Sequence, residues 1–138
     1  MTICYAFRIT RQMCRDNPEA RFVFGDNEVR RGLGGQAKEM RGEPNAIGVA
    51  TKWKPSLFDD AFFSDDDLRA RDVLEHDLNR VEEALAQNRL VVFPRDGIGT
   101  GLSQMDKRAP NLFYYLNLRI SFMEAKYGLD LQPHDRLK

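Results

Sequence analysis

The sequence predicts an α/β protein whose helices pack against a mostly parallel β-sheet. Short apolar segments alternate with helical patterns through the second half of the chain, which is typical of such layered folds. The segment 89–94 (RLVVFP) is apolar on both faces, as a central parallel strand is. Three polar or glycine-rich segments directly follow predicted strands, and α/β sheets bind ligands at that end of their strands. We expect one domain, residues 1–138.

Four strands are predicted from segments rich in β-branched and aromatic residues. They cover residues 3–9 (ICYAFRI), 21–27 (RFVFGDN), 46–53 (AIGVATKW) and 89–94 (RLVVFP). The Asn17–Pro18 pair predicts a turn over 15–20, between the first two strands.

Three helical segments are predicted between and after these strands. The first lies within 30–42, where glycines precede a helix-forming run that ends at Gly42. The longest begins at Ser64 with Asp67 as its capping-box partner. Its buried stripe is expected to comprise Leu68, Leu74, Leu78, Val81 and Leu85.

The last helix is predicted to start near Asp106 and Pro110 and to end at Gly128. Its expected buried face comprises Phe113, Leu116, Ile120 and Met123. Segment 56–63 (SLFDDAFF) has no clear period and is interpreted as a loop with exposed aromatic rings. The polar tail, about residues 129–138, is assigned no element.

Composition argues against several classes of protein. Positive and negative side chains balance at 21 each, so no bulk nucleic-acid binding is predicted. Cys4 and Cys14 are the only cysteines, with no CxxC spacing and no histidine cluster, so we predict no disulfide framework, no metal site and no cofactor. The N-terminus has no signal-peptide core and no segment approaches 18 apolar residues, so we expect a cytoplasmic protein that does not enter a membrane.

Two glycine-rich segments are the strongest indications of a ligand. RRGLGGQAKEM places Gly32, Gly34 and Gly35 before a predicted helix, where backbone N–H groups attract anions. VVFPRDGIGTGLS follows a strand with three further glycines. The first of them is neither a Walker A loop nor a GxGxxG fingerprint. Together they favour a diphosphate clamp over two ordinary turns between strand and helix.

The order of these motifs resembles the macro domain family, which binds ADP-ribose. The matching series is GDN, GLGGQAKEM, GVATKW, a long helix and VVFPRDGIGTGLS, over roughly residues 21–120. Within the family it is most similar to the branch of terminal ADP-ribose protein glycohydrolases and ADP-ribose-1″-phosphate phosphatases. The resemblance implies a three-layer α/β/α domain with a mixed, mostly parallel sheet. The implied partner is ADP-ribose or an ADP-ribosylated macromolecule.

The resemblance also implies roles for individual residues. Asn27 and Asp26 would lie near the distal ribose, or Asp26 would accept from the adenine amine. Lys52, in the Thr-Lys motif, would attack the anomeric carbon of that ribose. The backbone around the ligand would be supplied by Gly32, Gly34, Gly35, Thr51, Gly97, Gly99, Thr100, Gly101 and Leu102.

One position departs from the branch, whose second glycine segment contains Gly-Leu-Asp. Ser103 follows Gly101–Leu102 here, and a serine is a far poorer general base than the aspartate that helps release the covalent adduct. Asp96 or Asp106 could take over that role. The leading expectation is removal of ADP-ribose from a modified target.

Two alternatives remain open for the chain as a whole. One is a non-catalytic module that binds or sequesters ADP-ribose-type nucleotides, including cyclic ones. The other is a glycine-loop nucleotide-binding protein unrelated to macro domains. For single residues, Asp26 and Asn27 are also consistent with an Asx turn, and Lys52 with a solvated lysine at a strand end. His76 and His134 are expected at the surface.

Overall fold

The computed structural model describes residues 2–132 and 136–138, so His134 lies outside the described residues. Its core is a five-stranded sheet with the order β3-β2-β4-β1-β5. The strands are β1 (Ile3–Ala6), β2 (Arg21–Asn27), β3 (Ala46–Lys52), β4 (Val91–Pro94) and β5 (Leu129–Asp130). All neighbouring strands run parallel. The expectation of a mixed sheet is therefore wrong, and antiparallel pairing between the described residues is confined to an isolated bridge, Lys52 with Phe62.

Helices cover both faces of the sheet. They are α1 (Arg11–Asp16), α2 (Ala37–Met40), α3 (Leu68–Ala86), α4 (Met105–Arg108) and α5 (Pro110–Tyr127), with 3₁₀ turns at Asp59–Ala61 and Gly101–Ser103. Because strand side chains alternate, Val23 and Val91 pack with α3 and α5, whereas Phe22 and Val92 pack with α1 and α2. The predicted α/β class is confirmed, with helices on either side of a central parallel sheet.

The first connection differs most from the sequence prediction. β1 ends at Ala6 instead of continuing to residue 9, and the predicted turn over 15–20 begins inside α1. Thr10 caps α1, because its hydroxyl accepts a hydrogen bond from Met13 N at 3.1 Å. The helix predicted within 30–42 is a single turn, α2.

Helix α3 starts later than its predicted capping box. Asp67 is the N-cap, and its carboxylate accepts from Arg69 N at 3.0 Å. The role assigned to Ser64 is therefore wrong, and Leu68 is 77% exposed because it sits at the helix start. The remaining stripe is buried as predicted: Leu74, Leu78, Val81 and Leu85.

The loop before α3 is more buried than its composition predicted. Phe58 is exposed, but Phe62 and Phe63 are buried. Trp53 N donates to Ala61 O at 2.7 Å, which pins this loop along the end of β3 and turns both rings inward. Trp53 meets the Phe63 ring edge-on and, partly buried, packs against the core.

Helix α5 follows the prediction closely. It begins at Pro110 and is capped by Gly128 at φ +101°. Leu116, Ile120 and Met123 are buried, whereas Phe113 is half-buried. Asp106 belongs to the separate turn α4. No helix in residues 2–132 or 136–138 combines the length and apolarity that a membrane span needs.

Candidate functional site

The carboxyl ends of β2, β3 and β4 open into a cavity of about 330 Å³. Two segments flank it, which we call the first glycine loop (residues 28–36, after β2) and the second glycine loop (residues 95–103, after β4). With the exception of Asp106, the site residues singled out from the sequence line this cavity: Asp26, Asn27, Gly32, Gly34, Gly35, Thr51, Lys52, Asp96, Gly97, Gly99, Thr100, Gly101, Leu102 and Ser103. Parallel strand ends bring them together, since each segment leaves the same edge of the sheet.

Asn27 shapes the first glycine loop. Its Nδ2 donates to Arg31 O at 2.7 Å, and its Oδ1 accepts from Arg31 N at 3.4 Å. The side-chain amide therefore closes the turn that leads into the glycines. This contact spans four residues, so it differs from the Asx turn considered from the sequence.

Asp26 anchors the same loop through arginines. Its buried carboxylate pairs with Arg41, and Arg30 Nη1 lies 3.6 Å from Oδ2. Arg41 Nε also donates to Gly32 O at 2.8 Å. Both carboxylate oxygens thus face guanidinium groups, and the pair holds the loop backbone against β2.

Asp77 is a site-supporting residue that the sequence analysis missed. It is fully buried on α3, accepts from Arg30 Nη2 at 2.9 and 2.7 Å, and accepts from Ala50 N at 2.8 Å. It thereby joins α3, the outer edge of β3 and the first glycine loop. The sequence could have revealed it, because Asp77 lies between Leu74 and Leu78 of the predicted buried stripe. A carboxylate at such a position is expected to be buried, and a buried carboxylate needs a cationic or hydrogen-bonding partner.

The second glycine loop depends on left-handed backbone. Gly97, Gly99 and Gly101 have φ values of +81°, +92° and +61°. A Cβ at Gly99 would lie 3.0 Å from Phe113, so this glycine permits packing on α5. A Cβ at Gly97 or Gly101 would meet no atom within 4 Å, so there is open space beside both glycines, although the Gly97 N–H itself donates to Pro94 O at 2.9 Å.

The neighbouring polar groups of that loop differ in their availability. Ser103 is buried, and its hydroxyl donates to Thr100 O at 3.0 Å. Asp96 is exposed on the cavity wall. Asp106 does not line the cavity, and its backbone N–H donates to Gly99 O at 3.2 Å. Of the two carboxylates considered as substitutes for the missing aspartate, the structure brings Asp96 to the cavity.

Lys52 ends β3 as a buried side chain, 7% exposed. Its Nζ donates to Ser56 O at 2.8 Å and to Leu102 O at 3.3 Å, and lies 4.6 Å from the centre of the Phe62 ring. Among the described residues no carboxylate lies within ion-pair distance of Nζ. Burial, and then the positive charge of Arg108, lower the pKa of this lysine below its ordinary value. The interpretation of Lys52 as a solvated surface lysine is therefore wrong.

The burial of Lys52 and the nearby Arg108 charge predict a lowered titration midpoint for its amine. In an NMR titration of the lysine side chains, we expect its midpoint to lie below the ordinary value of about 10.4, so that the neutral amine forms at lower pH. Arg108→Gln should raise the midpoint because it removes the nearby cation. Arg89→Gln, at the opposite end of β4, is the matched control and should leave it unchanged. A midpoint at or above the ordinary value contradicts this account.

The cysteines and the histidine of the described residues are less suited than Lys52 to act as nucleophiles or metal ligands. Cys4 and Cys14 are free and buried, and burial raises the pKa of each thiol to about 11. His76 is exposed on α3. Within residues 2–132 and 136–138 no group of three acidic, histidine or cysteine side chains is arranged to hold a metal ion.

Comparison with known proteins gives one match. A model described as a family of unknown function, DUF7831, matches residues 4–119, a range that contains most of β1, all of β2 to β4 and the whole cavity. No curated protein and no solved structure matches the chain.

Proposed function

The chain belongs to DUF7831, a family of unknown function, and we propose that it is a macro-like domain that binds ADP-ribose or a related nucleotide and removes ADP-ribose from a modified target. The supporting observation is that a buried lysine and two glycine loops line one cavity. The order of sequence motifs that resembles the macro domain thus corresponds to one place in the fold.

The cavity suits a diphosphate. Its lining contains three cations, Arg31, Arg41 and Lys52, against two carboxylates, Asp26 and Asp96. The open space beside Gly97 and Gly101 leaves room for phosphate oxygens to approach the second glycine loop. A small excess of positive charge around this open space favours an anionic ligand.

Lys52 would perform the first chemical step. The neutral amine forms a C–N bond to the anomeric carbon of the distal ribose, while the C–O bond to the modified carboxylate breaks and that carboxylate leaves with the electron pair. The lowered pKa makes the neutral amine accessible at a smaller cost. Because Nζ is held by two carbonyl oxygens, the ligand must draw it away from Ser56 or Leu102.

Water then releases the adduct. It adds to the anomeric carbon as the C–N bond breaks, which returns the amine and frees ADP-ribose. Asp96 is the cavity carboxylate suited to accept the proton of that water, since Asp26 is paired with arginines. The Ser103 hydroxyl is a far weaker base than a carboxylate, and it already donates to Thr100 O. We therefore expect this second step to be slow.

A second candidate function is non-catalytic binding or sequestration of ADP-ribose-type nucleotides, including cyclic ones. The hydrogen bonds of Lys52 Nζ favour this candidate, because they give the amine a structural role. They hold the segment after β3, at Ser56 O, to the second glycine loop, at Leu102 O. The two candidates share the binding site and differ in whether a substrate is turned over.

Calorimetric titration tests the binding site itself. We expect ADP-ribose to bind at least about tenfold more tightly than AMP, a difference of about 1.4 kcal/mol, because both glycine loops contact its diphosphate and distal ribose. AMP is the matched control, since it lacks the second phosphate and the distal ribose. Equal affinities, or no binding of either ligand, would contradict the proposal and leave a glycine-loop protein unrelated to macro domains.

A further inference from the structure

Gln36, at the end of the first glycine loop, connects it to the rest of the cavity. Its Oε1 accepts a hydrogen bond from Gly25 N at 2.9 Å, on β2. Its Nε2 donates to Gly97 O at 3.2 Å, on the second glycine loop. One half-buried carboxamide thus joins the first glycine loop, a central strand and the second glycine loop.

The hydrogen bond from Gln36 Nε2 to Gly97 O is the polar contact between the two glycine loops. Among the described residues, no other hydrogen bond or ion pair joins residues 28–36 to residues 95–103. The loops also pack on each other elsewhere, because a Cβ at Gly34 would lie 3.1 Å from Leu102 Cδ1. The space beside Gly97 is open and its φ is +81°, so at this point the position of the second glycine loop relative to the first depends on the Gln36 carboxamide.

We propose that Gln36 is the positioning residue that sets the separation of the two glycine loops, and that ligand affinity depends on its uncharged carboxamide. The second part rests on the proposed function, whereas the first does not. A carboxamide is required because the site needs an acceptor for Gly25 N–H and a donor for the Gly97 carbonyl at once. Glutamate offers only acceptors when ionised, and its charge would face the Gly97 carbonyl oxygen.

The isosteric variant Gln36→Glu provides the test without a ligand. Gly97 N–H, which donates to Pro94 O at 2.9 Å, reports on the second glycine loop. At pH 7 we expect its hydrogen exchange to become at least about fivefold faster than in wild type, while Gly25 N–H, whose acceptor glutamate retains, and the melting temperature change little. Lowering the pH below the glutamate pKa, ordinarily about 4.3, restores a donor on a side chain of the same shape and should return the Gly97 exchange rate to the wild-type value at that pH. The charged groups that line the same cavity are Asp26, Arg31, Arg41, Lys52 and Asp96.

Two further variants serve as controls. Gln36→Met has similar length but cannot donate, so its faster exchange should persist at low pH. Gln104→Glu changes a glutamine whose Oε1 accepts from Arg108 Nε, within one segment, so Gly25 and Gly97 should exchange as in wild type.

The outcomes separate this inference from the proposed function. Unchanged Gly97 exchange in Gln36→Glu, or faster exchange that acid does not reverse, overturns the positioning role whether or not ADP-ribose binds. Where wild type binds ADP-ribose, we expect Gln36→Glu to bind it at least tenfold more weakly at pH 7, with recovery on acidification relative to wild type. Equal affinity despite faster exchange overturns the second part. Absence of binding by wild type defeats the proposed function alone, since the exchange rates still decide the positioning role.

Discussion

The Lys52→Ala variant is expected to bind ADP-ribose but to lose hydrolysis of an ADP-ribosylated acidic peptide by about 10³-fold or more, as the loss of a nucleophile does. Binding should survive because both glycine loops, which we propose as the diphosphate site, still line the cavity. The buried amine and its lowered pKa make Lys52 the group best suited to attack in this cavity.

The wild-type protein should also show a covalent intermediate. Since Ser103 stands where the macro-domain branch that this sequence resembles has an aspartate, release of the proposed adduct is expected to be slow enough for intact-mass measurement to detect ADP-ribose on Lys52. Lys54→Ala is the matched control, because Lys54 lies two residues further on, pairs with Asp60 and does not line the cavity. Hydrolysis at the wild-type rate by Lys52→Ala would exclude the nucleophile role. Binding without hydrolysis by the wild type, across several modified substrates, would favour the non-catalytic candidate.

Gly101→Val is expected to weaken ADP-ribose binding by about 100-fold or more while the protein remains folded. The residue has φ +61°, where a β-branched side chain is strained by roughly 1–2 kcal/mol, so the loop must shift. The added side chain also stands at the cavity wall, where no atom lies within 4 Å of the new Cβ. Both effects oppose the approach of phosphate to the loop backbone.

Gly42→Val separates strain from blockage. Gly42 also has positive φ, +92°, and open surroundings, but it lies outside this cavity. Calorimetry should find ADP-ribose affinity close to wild type in Gly42→Val, with both variants losing some thermal stability. Equal affinity in Gly101→Val and wild type would show that the second glycine loop has only a structural role.

Strand prediction succeeded where the local pattern was strong. β2 has the predicted bounds, Arg21–Asn27, and β4 is buried between two parallel neighbours, as its apolar residues indicated. α1 was missed because six residues are too few for a helical period to stand out. Phe62 and Phe63 were misjudged because their burial depends on backbone contacts with the end of β3.

The sequence by itself determined the α/β class, the central parallel strand and the position of the glycine segments after strands, because these follow from composition and period along a few consecutive residues. Only the tertiary structure decided what the polar side chains do. Asp26 meets Arg41, Asp77 meets Arg30, and Gln36 meets Gly97 across 15, 47 and 61 positions of the chain. Local sequence does not identify such partners, since a residue that distant is brought near only when the strands align and the core closes.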